Sequence, residues 1–187
     1  MMPARHASHR KIAGCAAALN LTLLFGGGCH SKKDATPENF IAGLNAYFAE
    51  HPDCLFADPP TFPYETTNPE KIRQMDALTA VQLLSAERAP KLHESRYTPT
   101  AAGARVAPRF CFGHRIATSI DSSTPPTQGK RLPRTDVAYH YKMEDVPVWA
   151  KTEQMRAAFP QMALATSGTA SDKATLTLTI AGWEDVD

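Results

Sequence analysis

The sequence predicts an α+β fold: a helical N-terminal half, then a small antiparallel sheet carrying one helix. Three observations predict it. Apolar residues recur at helical spacing over 37–50 and again over 69–81. Val137, Tyr139, Tyr141 and Met143 share one parity, as half-buried strands require. Leu176, Leu178 and Ile180 alternate with Thr175, Thr177 and Thr179 in the same way.

The first helix has Thr36 as N-cap and Pro37 in its first turn, where a missing N–H costs nothing. Phe40, Ile41, Leu44, Tyr47 and Phe48 make its apolar face, and His51-Pro52-Asp53 ends it. Three prolines make 57–64 an ordered loop held by Phe56, Phe62 and Tyr64. Asn68 and Pro69 open a second helix with Ile72, Met75, Leu78 and Thr79 on one side. Leu83-Leu84 start a short strand, 85–94 form a polar turn, Arg96-Tyr97-Thr98 return, and 99–103 turn again.

Arg109 to Ile120 is expected as a strand, with Phe110, Phe112, Ile116, Thr118 and Ile120 on one parity. A long exposed connection at 121–135 precedes the strand at 137–143. A helix starts near Pro147, capped by Asp145 or a neighbour, with Trp149, Met155, Phe159 and Met162 near one face and Pro160 bending or ending it. Ser167–Lys173 is a polar turn, and Ala174–Gly182 the last strand.

The order helix, Leu-Leu, polar tip, Tyr-Thr-x-x-x-Gly resembles the last helix and wing of winged-helix domains. There, Ala-Gly-Leu-Leu and Tyr-x-Leu-Thr-x-x-Gly frame the hairpin. The resemblance covers about residues 69–103. It departs from the family at Gln82, where glycine is common, and at Pro99. In the family this helix and wing often bind DNA, so the resemblance implies a DNA-binding regulator as the third-ranked function. A fold can also persist without its usual function.

Residues 1–29 point elsewhere. Arg5, Arg10 and Lys11 form a positive end, Ile12–Phe25 an apolar stretch, and Gly26-Gly27-Gly28 lead to Cys29. Fourteen residues are too few for a spanning helix, which takes about 20, and suit a signal-peptide core. The pattern resembles the lipobox of bacterial lipoproteins, in which the cysteine becomes the lipidated first residue. It departs at Gly26, where the family usually has a branched aliphatic residue. The resemblance implies a signal peptide over 1–28, a tether over 29–36 from lipidated Cys29, and one α+β domain over 37–187. Its winged-helix-like part is expected over about 37–108 and its sheet part over about 109–187. Without Asp after the cysteine, family analogy favours the outer membrane. The expected location is the cell envelope, facing the periplasm.

Removing 1–28 takes away three of 20 basic residues and no acid, leaving 17 against 19, a net charge of −2. That balance argues against a dedicated nucleic-acid binder. Cys54 and Cys111 remain as an even pair, expected to form a disulfide in an oxidising compartment and worth about 4 kcal/mol. The competing reading is two buried thiols beside Leu55-Phe56 and between Phe110 and Phe112.

The sequence contains no constellation typical of catalysis. Its histidines are scattered, and the tightest candidate metal set is His51, Asp53, Cys54 and Asp58, more simply loop residues. No Gly-x-Ser-x-Gly, phosphate loop or dinucleotide fingerprint occurs. Ser167-Gly168 reads as a loop, and Cys111 and His114 would face opposite sides of a strand. Asp53/Asp58 and Glu144/Asp145 could serve glycan hydrolysis, but capping and a strand-end turn account for them. Tyr139, Tyr141 and Trp149 read as packing residues rather than a sugar platform. No cofactor and no metal site is predicted.

Between 70 and 115 there are eight Lys or Arg against four acids. Lys71, Arg73, Arg88 and Arg96 are the candidate basic surface, for anionic lipid or wall polymer, and the bland alternative is a solvated face. The expected function is non-enzymatic binding or scaffolding at the envelope, through a lipid anchor in the membrane and with an envelope protein or cell-wall polymer as partner. The alternative is an envelope enzyme such as a cell-wall hydrolase.

Overall fold

Both long helices start where capping chemistry places them. The computed structural model describes residues 31–89, 94–127 and 131–185. Helix α1 (Pro37–Glu50) is capped by Thr36, whose hydroxyl accepts the Asn39 N–H at 3.4 Å. Helix α2 (Pro69–Ala80) is capped by Asn68, whose side chain accepts the Glu70 and Lys71 N–H groups at 2.9 and 3.1 Å. Strand β1 (Tyr64–Thr66) precedes α2, and the hairpin of β2 (Leu84–Ala89) and β3 (Glu94–Pro99) follows it. Together they form a three-stranded antiparallel sheet in the order β1-β3-β2. Strands β4 (His114–Ser123), β5 (Arg134–Glu144), β6 (Ala170–Leu178) and β7 (Trp183–Asp185) form a four-stranded antiparallel sheet in sequence order. Helices α3 (Glu153–Ala158) and α4 (Pro160–Ala165) lie between β5 and β6 in the chain. The α+β class read from the sequence is the class observed.

Two apolar cores hold these elements. Phe40, Leu44 and Phe48 of α1 pack with Val137, Tyr139 and Tyr141 of β5, Leu176 of β6 and Trp183 of β7. Met75 and Leu78 of α2 pack instead with Leu84, Tyr97, Phe110, Met155, Phe159 and Met162. The helix carried by the four-stranded sheet is therefore α1, while α3 and α4 join α2. A division of helices between 37–108 and 109–187 does not follow this packing. An apolar stripe shows that a helix face is buried, not which partner buries it.

Helix α1 meets both outer strands of its sheet, β4 and β7. Gly43 permits the approach to β7: a β-carbon there would run into the Trp183 carbonyl oxygen. On the β4 side, the Asn45 side chain takes the place of a neighbouring strand. Its oxygen accepts the Ala117 N–H at 2.7 Å and its Nδ2 donates to the Ala117 carbonyl at 3.4 Å. Open edge groups are thereby satisfied without a further strand.

Several boundaries differ from the sequence reading. The hairpin strands reach into the expected 85–94 turn, and Tyr64 belongs to β1 rather than to the proline-rich loop. Strand β4 starts at His114, not Arg109, because Phe110 and Gly113 take positive φ (52° and 130°). The strand then enters on the other parity, with buried Ala117 opposite Tyr141, and register shifts between Ala117 and Ser119 and between Ile120 and Ser122 leave Thr118 exposed and set Ile120 opposite Tyr139. The connection expected over 121–135 is shorter, since β4 runs to Ser123 and β5 starts at Arg134. Asp145 caps no helix; it has φ 55°, and Thr152 caps α3 by accepting the Met155 N–H at 3.4 Å. Proline at 160 disfavours helical backbone at Phe159, so α3 stops and α4 begins. Strand β6 opens at Ala170, inside the expected turn, and closes at Leu178, leaving Ile180 in a turn before β7.

Residues 31–36, expected as tether, lie against the domain. Asn39 Nδ2 donates to the Ser31 and Asp34 carbonyls, both at 2.8 Å, and Trp183 Nε1 donates to the Asp34 carbonyl at 3.1 Å.

Candidate ligand-binding cleft

Cys54 and Cys111 form a disulfide across a sequence separation of 57. They also face each other as an antiparallel bridge, flanked by Asp53 N–H to the Gly113 carbonyl at 2.9 Å and Phe112 N–H to the Asp53 carbonyl at 2.8 Å. This clamp fixes Asp53 beside the start of β4. The alternative of two free thiols is excluded, and with it a thiol nucleophile at Cys111.

Arg115 of β4 is the centre of what the clamp positions. Its Nε lies 3.2 Å from both Asp53 carboxylate oxygens and its Nη2 3.0 Å from Oδ1. Nη1 reaches Asp172 Oδ2 of β6 at 2.7 Å and the Tyr139 hydroxyl at 3.4 Å. The guanidinium also sits 4.7 Å from the Tyr141 ring centroid and 5.7 Å from that of Phe48. Burial works against the Arg115 charge, but the hydrogen bonds and charge of Asp53, with Tyr139 and Asp172, outweigh it and hold the cation more firmly than usual. Burial also pushes the Tyr139 hydroxyl up to about 12, against the opposing pull of Arg115. Tyr141 is raised for the same first reason.

This cluster forms one wall of a cleft of about 720 Å³. Helix α2 supplies Glu70, Arg73 and Gln74 to the cleft lining, and the Phe159–Ala165 segment supplies Gln161 and an exposed Leu164. The lining thus mixes an apolar strip with amide, carboxylate and guanidinium groups. Such a surface can hold a peptide or a polyhydroxylated chain by packing and directional hydrogen bonds. Arg115 has most of its N–H groups engaged, so Arg73, Gln74 and Gln161 are the donors left to meet a ligand.

The sequence-predicted residues are distributed as follows. Cys29 lies outside the described residues. Lys71 and Arg73 stand on α2, Arg88 on β2 and Arg96 on β3. Arg88 pairs with Asp76 at 2.8 Å, and Asp76 also accepts the buried Tyr97 hydroxyl at 2.9 Å. Tyr97 is raised by burial first and by Asp76 second. Arg96 lies 3.5 Å from Glu65, and Lys71 Nζ 3.4 Å from Gln74 Oε1. Of the four, only Arg73 lines the cleft. Asp53 faces Arg115 while Asp58 is exposed, so these two make no carboxylate pair around a substrate. Glu144 meets Lys142 at 2.8 Å, which lowers its carboxyl below the usual range. His114 Nδ1 lies 3.5 Å from Asp145.

One constellation escaped the sequence reading. His140 of β5 has Nδ1 2.7 Å from Ser171 Oγ of β6 and Nε2 3.0 Å from Asp121 Oδ1 of β4. Its three residues lie 19 and 31 positions apart, and only the strand register brings them together. Among the described residues, no group of three or more His, Cys, Asp or Glu could hold a metal ion, and no helix is long and apolar enough to cross a membrane. Comparisons with protein-family models, curated proteins and solved structures found no match to this chain.

Proposed function

We propose that the chain is a lipid-anchored cell-envelope protein that acts by binding or scaffolding, with the cleft beside Arg115 as its contact surface. The cleft carries the reading. Its central cation is already neutralised by Asp53 and Asp172, and its rim sets an exposed leucine among two amides and a pair of opposite charges, Glu70 and Arg73. This suits a protein surface or a wall polymer better than a small charged metabolite. The lipobox-like sequence at 1–29 supports the anchor and the outer membrane as location, and the disulfide fits an oxidising compartment.

The first test is intact mass of the membrane-extracted protein, with and without reduction and alkylation. The expected result is a chain beginning at lipidated Cys29, with Cys54 and Cys111 unreactive until reduced. A full-length chain with free thiols defeats the reading. Sedimentation with purified cell-wall sacculi then tests the polymer as partner, and Leu164→Arg is expected to abolish that interaction while leaving the protein in the membrane fraction through its anchor.

A second reading, an envelope hydrolase, is favoured by one observation. Ser171, His140 and Asp121 make the nucleophile, base and orienting acid of a serine triad, with the two imidazole nitrogens exchanged. The His140 and Asp121 side chains are 39% and 45% exposed, so water surrounds the array, and this ranks hydrolysis second. A fluorophosphonate adduct on Ser171, lost in His140→Gln, would reverse the order.

A further inference from the structure

We propose that the face made by Lys32, Lys33 and the turn carrying Ile180 rests on an anionic lipid bilayer, with Ile180 inserted among the acyl chains. The proposal rests on the lipid-anchored reading and adds to it the orientation of the domain. Three observations carry it. Ile180 is 97% exposed, a branched apolar side chain with no packing role. Its turn is rigid: Thr179 N–H donates to the Gly182 carbonyl at 2.7 Å, the Thr179 hydroxyl to the same oxygen at 3.1 Å, and Ala181 N–H to the Thr179 hydroxyl at 3.1 Å. Ile180 is thus held outward by structure rather than left there by a loose loop.

The turn also stands beside the start of the folded domain. Gly182, at φ 130°, backs onto Lys32, whose carbonyl oxygen would lie 3.2 Å from a β-carbon at that position. The Asn39 and Trp183 hydrogen bonds to Ser31 and Asp34 fix this segment, so it cannot lengthen into a leash. Cys29 stands two residues before Ser31, and two extended residues span at most about 7 Å. A lipid on Cys29 therefore brings Ser31 to the headgroup layer, and with it the exposed Lys32 and Lys33. Two cations beside an apolar tip match anionic headgroups over hydrocarbon.

The test uses the full chain, expressed so that it is processed, with an environment-sensitive fluorophore on Ile180→Cys and, separately, on the exposed Thr98→Cys of β3. Each is placed in phosphatidylglycerol-containing vesicles and in phosphatidylcholine vesicles, and the mass of each sample is measured. The label at 180 is expected to shift to the blue and to be quenched by brominated acyl chains. The label at 98 should do neither, and Lys32→Glu with Lys33→Glu should weaken the signal at 180. A lipidated chain whose label at 180 stays aqueous overturns the orientation and leaves the anchor standing. A mature chain without lipid on Cys29 overturns both.

Discussion

Arg115 shows how much one residue's surroundings change its meaning. In the sequence it is one of eight basic residues between 70 and 115 and counts as surface charge. In the fold it is 24% exposed, forked against an Asp53 that is 19% exposed, and braced by Asp172. Nothing local in the sequence marks it, because its partners lie 62 and 57 residues away. Arg115→Met should leave two carboxylates facing each other and cost about 2 kcal/mol, less than a fully buried pair would because solvent still screens the site. Urea unfolding checks this, and Arg115→Lys should recover only part of the loss, since an ammonium cannot make the two-pronged contact. Tyr139 gives a pH prediction. Its folded value of about 12 exceeds its unfolded value of about 10. The folded state therefore holds the proton longer, and stability present below pH 10 is lost as pH rises toward 12. Unfolding midpoints measured across that window, with tyrosinate absorbance, read it directly.

At the scale of elements, periodicity was legible where the backbone was regular. The two capped helices and β5 follow from it, with Val137, Tyr139 and Tyr141 buried as their parity requires. It failed on β4, where two register shifts move side chains from one face to the other, and on β7, whose three residues are too few to show a pattern. Over 147–165, of the two outcomes open at Pro160, a bend or an end, the second holds: α3 stops before it and α4 starts at it, after a short 3-10 turn at Val148–Lys151. Contacts between elements were less legible still, because an apolar stripe does not name its partner. Gly43 illustrates this: in sequence it interrupts a helix, whereas in the fold it lets α1 touch β7. Gly43→Ala should improve intrinsic helicity yet destabilise the protein by about 1–3 kcal/mol, because the clash is with backbone that cannot move aside. Thermal unfolding of the variant beside Ala42→Gly, an exposed position on the same helix, separates the two effects.

For the whole molecule, the disulfide ties the loop after α1 to the lead-in of β4, next to the cleft and close to both cores. Phe56, in the first of these segments, stacks edge-on with Phe110 in the second, at 6.1 Å between ring centroids. Replacing both cysteines by alanine should cost about 2–5 kcal/mol and speed proteolysis between Asp53 and Phe62. Limited digestion of the oxidised protein and the variant checks this. The cleft was illegible in the sequence because the 53–55 loop, α2, the 158–165 segment and strands β4, β5 and β6 reach it from stretches far apart in the chain.

The position of α1 also bears on how the chain matures. Helix α1 precedes every element that surrounds it: β4, β5 and Trp183 of β7, which follows Gly43 by 140 positions. Until β7 is in place, Phe40 and Leu44 have no complete pocket to enter. Completion of the α1 core thus waits on β7, and deleting Trp183–Asp185 should leave α1 without its seat.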